Sequence, residues 1–322
     1  MTRTAEIPYA ATAVRPGWDT LPAPVRELVA DRLGAPVVRA VPAGGGFTGG
    51  FAAIVEPSGG APVFVKAAGA EQLPVVARSY RQEAEISAAL PQEVPAPPLR
   101  WSAEVDDWVV LCFQAVAGRM PKTPCDPAEL ARALASWAVA AEALSPAPEE
   151  LVLPTLREAV GDEFALWRQL AAGESQVPVP ALAGSRIDAL AELESAWCDA
   201  SVSDSAIHCD LRLDNVILDG AGTAWICDWN WPCLGAPWFD TIQLLLVPYG
   251  LGADADALLR GHPTTRGVAP EQIDAVLAGF AGAFFDNAVR PPIAFCSPYL
   301  RAHQQASGDA ALRWLAARRG WR

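Results

Sequence analysis

Lysine is nearly missing from this chain. Of 24 basic residues in 322, only Lys66 and Lys122 are lysines. A lysine kept in the middle of the apolar stretch VFVKA therefore asks for a reason. No run of 18 apolar residues occurs, because Asp228, Pro232, Pro237 and Asp240 break the most apolar region, 225–249; no membrane span is expected. The N-terminal stretch lacks the continuous apolar core of a secretion signal. The seven cysteines form no CxxC pair or Cys/His cluster, which points to reduced thiols and a cytoplasmic protein rather than a disulfide framework or a zinc site. Internal repeats and low-complexity tracts are missing too.

Positive charge is also in deficit, the net charge being −13. Residues 1–113 hold 9 basic and 12 acidic groups, and residues 114–322 hold 15 and 25. An acidic surface repels phosphate backbones, so nucleic acid is not an expected partner. It suits a cationic small molecule bound by the C-terminal part. No feature specifies an oligomeric state.

What is present is a globular chain, 52% hydrophobic, long enough for two cores. A short helix is expected over 23–34. Strands are expected at 37–42, 51–56 and 62–67, where β-branched and aromatic residues alternate with Gly and Pro punctuation. A helix over 74–90 follows, stopped by Pro91, then strands at 99–104 and 108–113 turning at Asp106-Asp107. From 118 on the pattern is helical: 127–144, 155–172, 181–201, 254–260, 270–288 and 298–319. Loops and short strands dense in Asp, Asn and Trp interrupt it at 206–240. The fold class is thus α+β: an antiparallel sheet with one inserted helix over 1–113, and a larger, mainly helical part over 114–322.

The strongest motif is HCDLRLDN at 208–215, followed by WICDWN at 225–230. Phosphoryl transfer from ATP needs a carboxylate for the hydroxyl proton and oxygens to hold Mg²⁺ on the phosphates. Asp210 suits the first task, Asn215 and Asp228 the second. Gly44–Gly50 is a Gly-rich turn between the first two strands, where backbone N–H groups can approach phosphates without obstruction by Cβ. No G-K-[ST] follows it, so it is not a Walker loop. Lys66, in an apolar strand, needs a carboxylate partner, and Glu83 in the next helix is the candidate. Asp240 opens DTIQLLLV and reads as a helix N-cap. Trp229, Trp231 and Trp238 stand near Asp228 either as core or as lining of a substrate site.

These motifs, in this order over 37–245, resemble the aminoglycoside phosphotransferase and choline kinase superfamily. The resemblance implies a protein-kinase-like two-lobed fold with ATP between the lobes. It implies Asp210 as catalytic base, Asn215 and Asp228 as metal ligands, and His208 and Asp240 as braces of the loop. Lys66, paired with Glu83, would position the phosphates together with Gly45, Gly46, Phe47 and Thr48, and the connector residues Cys112, Phe113 and Gln114 are the candidates to border the adenine. Asp228-Trp229-Asn230 replaces the protein-kinase D-F-G, A-P-E is missing, and only 11 residues separate Asp228 from Asp240. That leaves little room for an activation loop and favours a small-molecule acceptor. The acceptors to be expected from the resemblance are an antibiotic, amine-bearing by the charge balance, or a metabolite such as choline, homoserine or a sugar. The rival of another class is a kinase-shaped binding module without turnover.

Overall fold

The computed structural model describes residues 7–321. Helix α1 (Ala23–Leu33) ends at Gly34 in a left-handed cap, φ 69°. Strands β1 (Val37–Pro42), β2 (Phe51–Pro57) and β3 (Val63–Gly69) follow, then α2 (Pro74–Ala89), β4 (Leu99–Val105) and β5 (Trp108–Gln114). The five strands form one sheet of order β1-β2-β3-β5-β4, every neighbouring pair antiparallel.

Alternation along β3 builds two small cores. Val63, Val65 and Ala67 face α1 with Val25 and Val29. Ala68 and Phe64 face α2 with Val76, Ala77, Tyr80 and Ala84. Lys66 shares that second face, opposite Ala52 on β2 and Leu111 on β5. It therefore sits in a central strand. Helix α2 has Pro74 at its first turn and stops at Ala89, because Leu90 must be extended before Pro91.

The remainder is β6 (Gly118–Arg119), α3 (Pro127–Ala143), α4 (Leu156–Val160), α5 (Leu166–Ala171), α6 (Ala181–Gly184), α7 (Ile187–Ala200) and the short strands β7 (Ala206–Ile207), β8 (Val216–Asp219), β9 (Ala224–Ile226) and β10 (Cys233–Leu234). Then come α8 (Trp238–Gly250), α9 (Ala255–Gly261), α10 (Pro270–Ala288) and α11 (Leu300–Arg319). Two long helices expected from the sequence are each broken. The 155–172 segment is α4 and α5, separated by turns from Gly161, and 181–201 is α6 and α7, separated at Ser185-Arg186. One continuous core joins α3, α5, α7, α8, α10 and α11, with Trp137, Trp167 and Trp314 fully buried. Helix α8 lies inside it, Phe239 to Leu246 all buried. This apolar helix is what carries Asp240 and Gln243 under the 208–215 loop.

Candidate active site

Between the sheet and the helical part lies a cleft of about 300 Å³. Its wall carries Gly45, Gly46, Thr48, Lys66, Glu83, Phe113, Asn215 and Asp228, eight residues expected from the sequence. Ala52, Ile54, Phe64, Phe113, Val116 and Ile217 give it apolar lining, as ligand clefts commonly have. Cys112 does not join them; its side chain belongs to the α1 core.

Lys66 ties the two halves together. Its ammonium donates to Glu83 Oε1 and Oε2 at 2.6 and 2.8 Å and forms an ion pair with Asp228, which is 162 residues away. Burial alone would lower its pKa, but Asp228 and Glu83 overturn that and hold it above the usual range. Burial pushes Glu83 up to about 7 although Lys66 pulls it down. Burial also acts to raise Asp228, and there Lys66 wins, so it stays below the usual carboxylate range. Asp228 keeps 38% of its side chain exposed toward the cleft. Its φ of 62° is unusual for a non-glycine residue and marks a backbone held in place by its surroundings.

The catalytic-loop candidate is fixed from below. The Asp240 carboxylate accepts the backbone N–H of His208 at 2.6 Å and of Cys209 at 3.0 Å, and Gln243 accepts that of Leu211 at 3.2 Å. Cys209 adopts φ 62°, so this turn too depends on its partners. Asp240 is not an N-cap: α8 starts two residues earlier, capped at Pro237, and the carboxylate is turned to the loop. Its burial raises its pKa to about 8. His208 is fully buried, with Nε2 2.8 Å from the Cys227 carbonyl. That oxygen only accepts, so Nε2 carries the proton, and Nδ1 takes the Asp210 N–H at 3.3 Å. Burial lowers its pKa to about 4, which keeps the ring neutral.

Asp210 is not on the cleft wall, yet 31% of its side chain is exposed. Burial raises its pKa, opposed by Arg212. Arg212, inside the same loop, is only 15% exposed. It pairs with Asp210, holds Asp214 through Nε and Nη2 at 2.9 and 3.0 Å, and lies over Phe47, 5.4 Å from the ring centroid. Phe47 itself does not wall the cleft; its ring is buried and stacked on His303 at 4.8 Å. Trp229 and Trp238 are buried, whereas Trp231 is 48% exposed.

Asn215 donates its amide nitrogen to the Asp210 carbonyl at 2.9 Å, which leaves its side-chain oxygen for a cation. Asn230 lines the same cleft, and its buried Oδ1 has no partner among the described residues. No cluster of three His, Cys, Asp or Glu side chains suited to a metal occurs among them either. Mg²⁺ asks for less, one or two carboxylates plus phosphate oxygens and water. Asp228 with the oxygens of Asn215 and Asn230 fits that requirement. Sequence reading missed Asn230, Asp214, Gln243 and Arg15. For Asp214 the available signal was its alternation with Asp210 and Arg212 along the loop.

Comparison with known proteins agrees with this architecture. No curated protein matches the chain. Among solved structures, the apo form of a thermostable mutant of aminoglycoside phosphotransferase APH(4)-Ia is similar with TM-score 0.59 and 15% identity, over 90% of this chain and 98% of that one. Its ternary complex with ADP and hygromycin B gives 0.58 and 14% over the same shares. Choline kinase LicA from Streptococcus pneumoniae gives 0.58 and 16%, again over 90% and 98%. At such identities the likeness is one of fold, and the fold is the protein-kinase-like one of these enzymes. Sequence carries the assignment further: residues 39–276 match the model of the phosphotransferase enzyme family, and the chain belongs to that family.

Proposed function

We propose that the protein transfers the γ-phosphoryl group of ATP, with Mg²⁺, to a hydroxyl group of an amine-bearing small molecule. The observation that supports this best is the Lys66 ammonium held between Glu83 and Asp228. It unites a strand lysine and the carboxylate of the next helix with a loop carboxylate 162 residues from the lysine. In this reading residues 1–113 hold the nucleotide, and residues 114–322 hold the metal, the catalytic loop and the acceptor.

Lys66, oriented by Glu83, positions the α- and β-phosphates. Backbone N–H groups of Gly45, Gly46, Phe47 and Thr48 receive the outer phosphates, and Phe113 borders the adenine. Asp228, Asn215 and Asn230 offer oxygens to Mg²⁺, which when bound neutralises phosphate charge. Asp210, steadied by Arg212 and Asn215, takes the acceptor's hydroxyl proton. The acceptor oxygen then bonds to the γ-phosphorus as the bridging P–O bond to ADP breaks. His208 and Asp240 hold the loop in place for this. The rate enhancement comes from positioning and electrostatics.

The net charge of −10 over residues 114–322 favours a cationic acceptor, of aminoglycoside-antibiotic or choline type, over a neutral sugar. Lys66, Asp210, Asn215 and Asp228 are all in place, which speaks against a silent binding module. All seven cysteines are free thiols, in keeping with a cytoplasmic site of action. No helix among the described residues is long and apolar enough to cross a membrane.

The test is ADP release from Mg·ATP across a panel of amino- and hydroxyl-bearing compounds. One compound should stimulate release, and Asp210→Asn should lower that turnover about 10²–10⁴-fold. ATP binding with no stimulation by any amine-bearing compound would count against the proposed acceptor class.

A further inference from the structure

The glycine loop is held by a segment that lies outside the family match. Residues 7–15 precede α1 and lie along the loop, and nearly every loop carbonyl is engaged. Ala43 O accepts from Arg15 Nε at 3.1 Å, Gly45 O from Arg15 Nη2 at 2.9 Å and Gly50 O from Arg15 Nη1 at 3.0 Å. Gly44 O accepts the Ala13 N–H at 2.8 Å and Phe47 O the Ser297 N–H at 2.8 Å. Gly46 O accepts the Thr12 hydroxyl at 3.1 Å. Five successive carbonyls, 43 to 47, thus point out of the loop into protein donors.

A trans peptide places its C=O and the following N–H on opposite sides. With those carbonyls turned to the strap and to Ser297, the N–H groups of residues 44 to 48 turn away from these donors. None of these five donates to another group among the described residues. Gly44, Gly45, Gly46 and Thr48 wall the cleft, as does Arg15 itself. A row of free N–H groups on a glycine turn is an anion receptor. The close fit also explains two of the glycines. A Cβ on Gly44 would stand 2.2 Å from the Ala10 carbonyl oxygen. Gly46 has φ +104°, and its Cβ would meet Arg15 Nη2 at 2.7 Å. The strap is anchored in turn: Tyr9 Oη lies 3.0 Å from His303 Nδ1, and Ser297 donates to the Thr12 carbonyl at 2.6 Å.

We propose that residues 7–15 are part of the nucleotide site. Arg15, with Thr12 and Ala13, holds the glycine loop in the conformation that receives phosphates, so the strap sets affinity for the polyphosphate and not for the nucleoside. Arg15 is here a positioning residue. Its three N–H donors each hold a loop carbonyl, and its charge stands at the phosphate end of the cleft. The inference rests on the nucleotide reading above.

The experiment is calorimetric titration of the full chain with Mg·ATP and, separately, with adenosine. Arg15→Gln is expected to weaken Mg·ATP roughly tenfold or more, since bonds from a charged donor are lost, and to leave adenosine unchanged. Arg15→Lys keeps the charge but not the three-way fork, so it should recover only part of the loss. Thr12→Val, nearly isosteric, should cost Mg·ATP affinity a few-fold with no effect on adenosine, and it serves if Arg15→Gln does not fold. An Arg15→Gln protein that binds Mg·ATP like the parent overturns the proposal. So does an equal loss of Mg·ATP and adenosine, which would make the strap merely structural. A parent protein that binds neither ligand contradicts the nucleotide reading itself.

Discussion

The catalytic loop and the glycine loop meet at one cleft, and different partners fix them. Residues 208–215 are held from below by a helix that follows closely in sequence, through Asp240 and Gln243. There the N–H groups of residues 208 to 211 are satisfied. Residues 43–50 are held from outside by the two ends of the described chain, through Thr12, Arg15 and Ser297. There the carbonyls of residues 43 to 47 are satisfied and the N–H groups of residues 44 to 48 are left open. The difference matches what each loop has to present. A loop that offers a carboxylate has its own backbone donors tied down. A loop that offers backbone donors has its acceptors tied down. The backbone N–H groups thus separate an anion-receiving loop from a base-presenting one without reference to any ligand.

The largest break in this comparison should come from Asp240→Leu. It strands two buried N–H groups, each worth about 1–3 kcal/mol, at a turn where Cys209 already has φ 62°. Urea denaturation should show a loss of about two such increments, and turnover should fall with it, whereas loss of the Thr12 hydroxyl should barely move the denaturation midpoint.

Acidification tests the lysine pair between the loops. Burial raises Glu83 to about 7, so it takes up a proton as the pH falls through that value and releases its hold on Lys66. Turnover should show an acid limb near that pH, falling roughly tenfold per unit below it. Glu83→Gln should lower the plateau and flatten the limb. The sign for stability is opposite. A carboxyl whose folded pKa is raised contributes stability below its unfolded value near 4.5, and that contribution is lost as the pH rises through about 7. Thermal melts across this range should show that loss in the parent and not in Glu83→Gln.

The smallest effect sharpens the role of the strap. Gly44→Ala places a methyl group against the Ala10 carbonyl, while Gly59→Ala meets nothing within 4 Å. The first should weaken Mg·ATP about fivefold or more through crowding, and the second should leave it unchanged.

Much of this was legible in the sequence because the evidence was local. Strand alternation around VFVKA, the Pro91 stop and the 208–215 spacing each lie within a few residues. They led to the five-strand sheet and to Lys66, Glu83, Asn215 and Asp228 on one cleft. What escaped notice was held by long-range or backbone contacts. The breaks at Gly161 and Ser185 do not disturb apolar periodicity, so both pairs of short helices read as single ones. Asp240 looks like a cap because only α8's observed start at Trp238 shows that its carboxylate serves another segment. The strap, YAATAVR, has no periodic pattern and no motif; its role lies in whose carbonyls it reaches. Asn230 was in plain view after Asp228-Trp229, but its unpartnered oxygen is a property of the folded cleft alone.

The most direct measurement is titration of ATP into the parent protein and Asp228→Asn, each with and without Mg²⁺. The account predicts binding that Mg²⁺ tightens in the parent, and loss of that dependence in Asp228→Asn. A folded parent that does not bind ATP, or binds it equally with and without Mg²⁺, would contradict the claim that Lys66, Asn215 and Asp228 form one nucleotide and metal site.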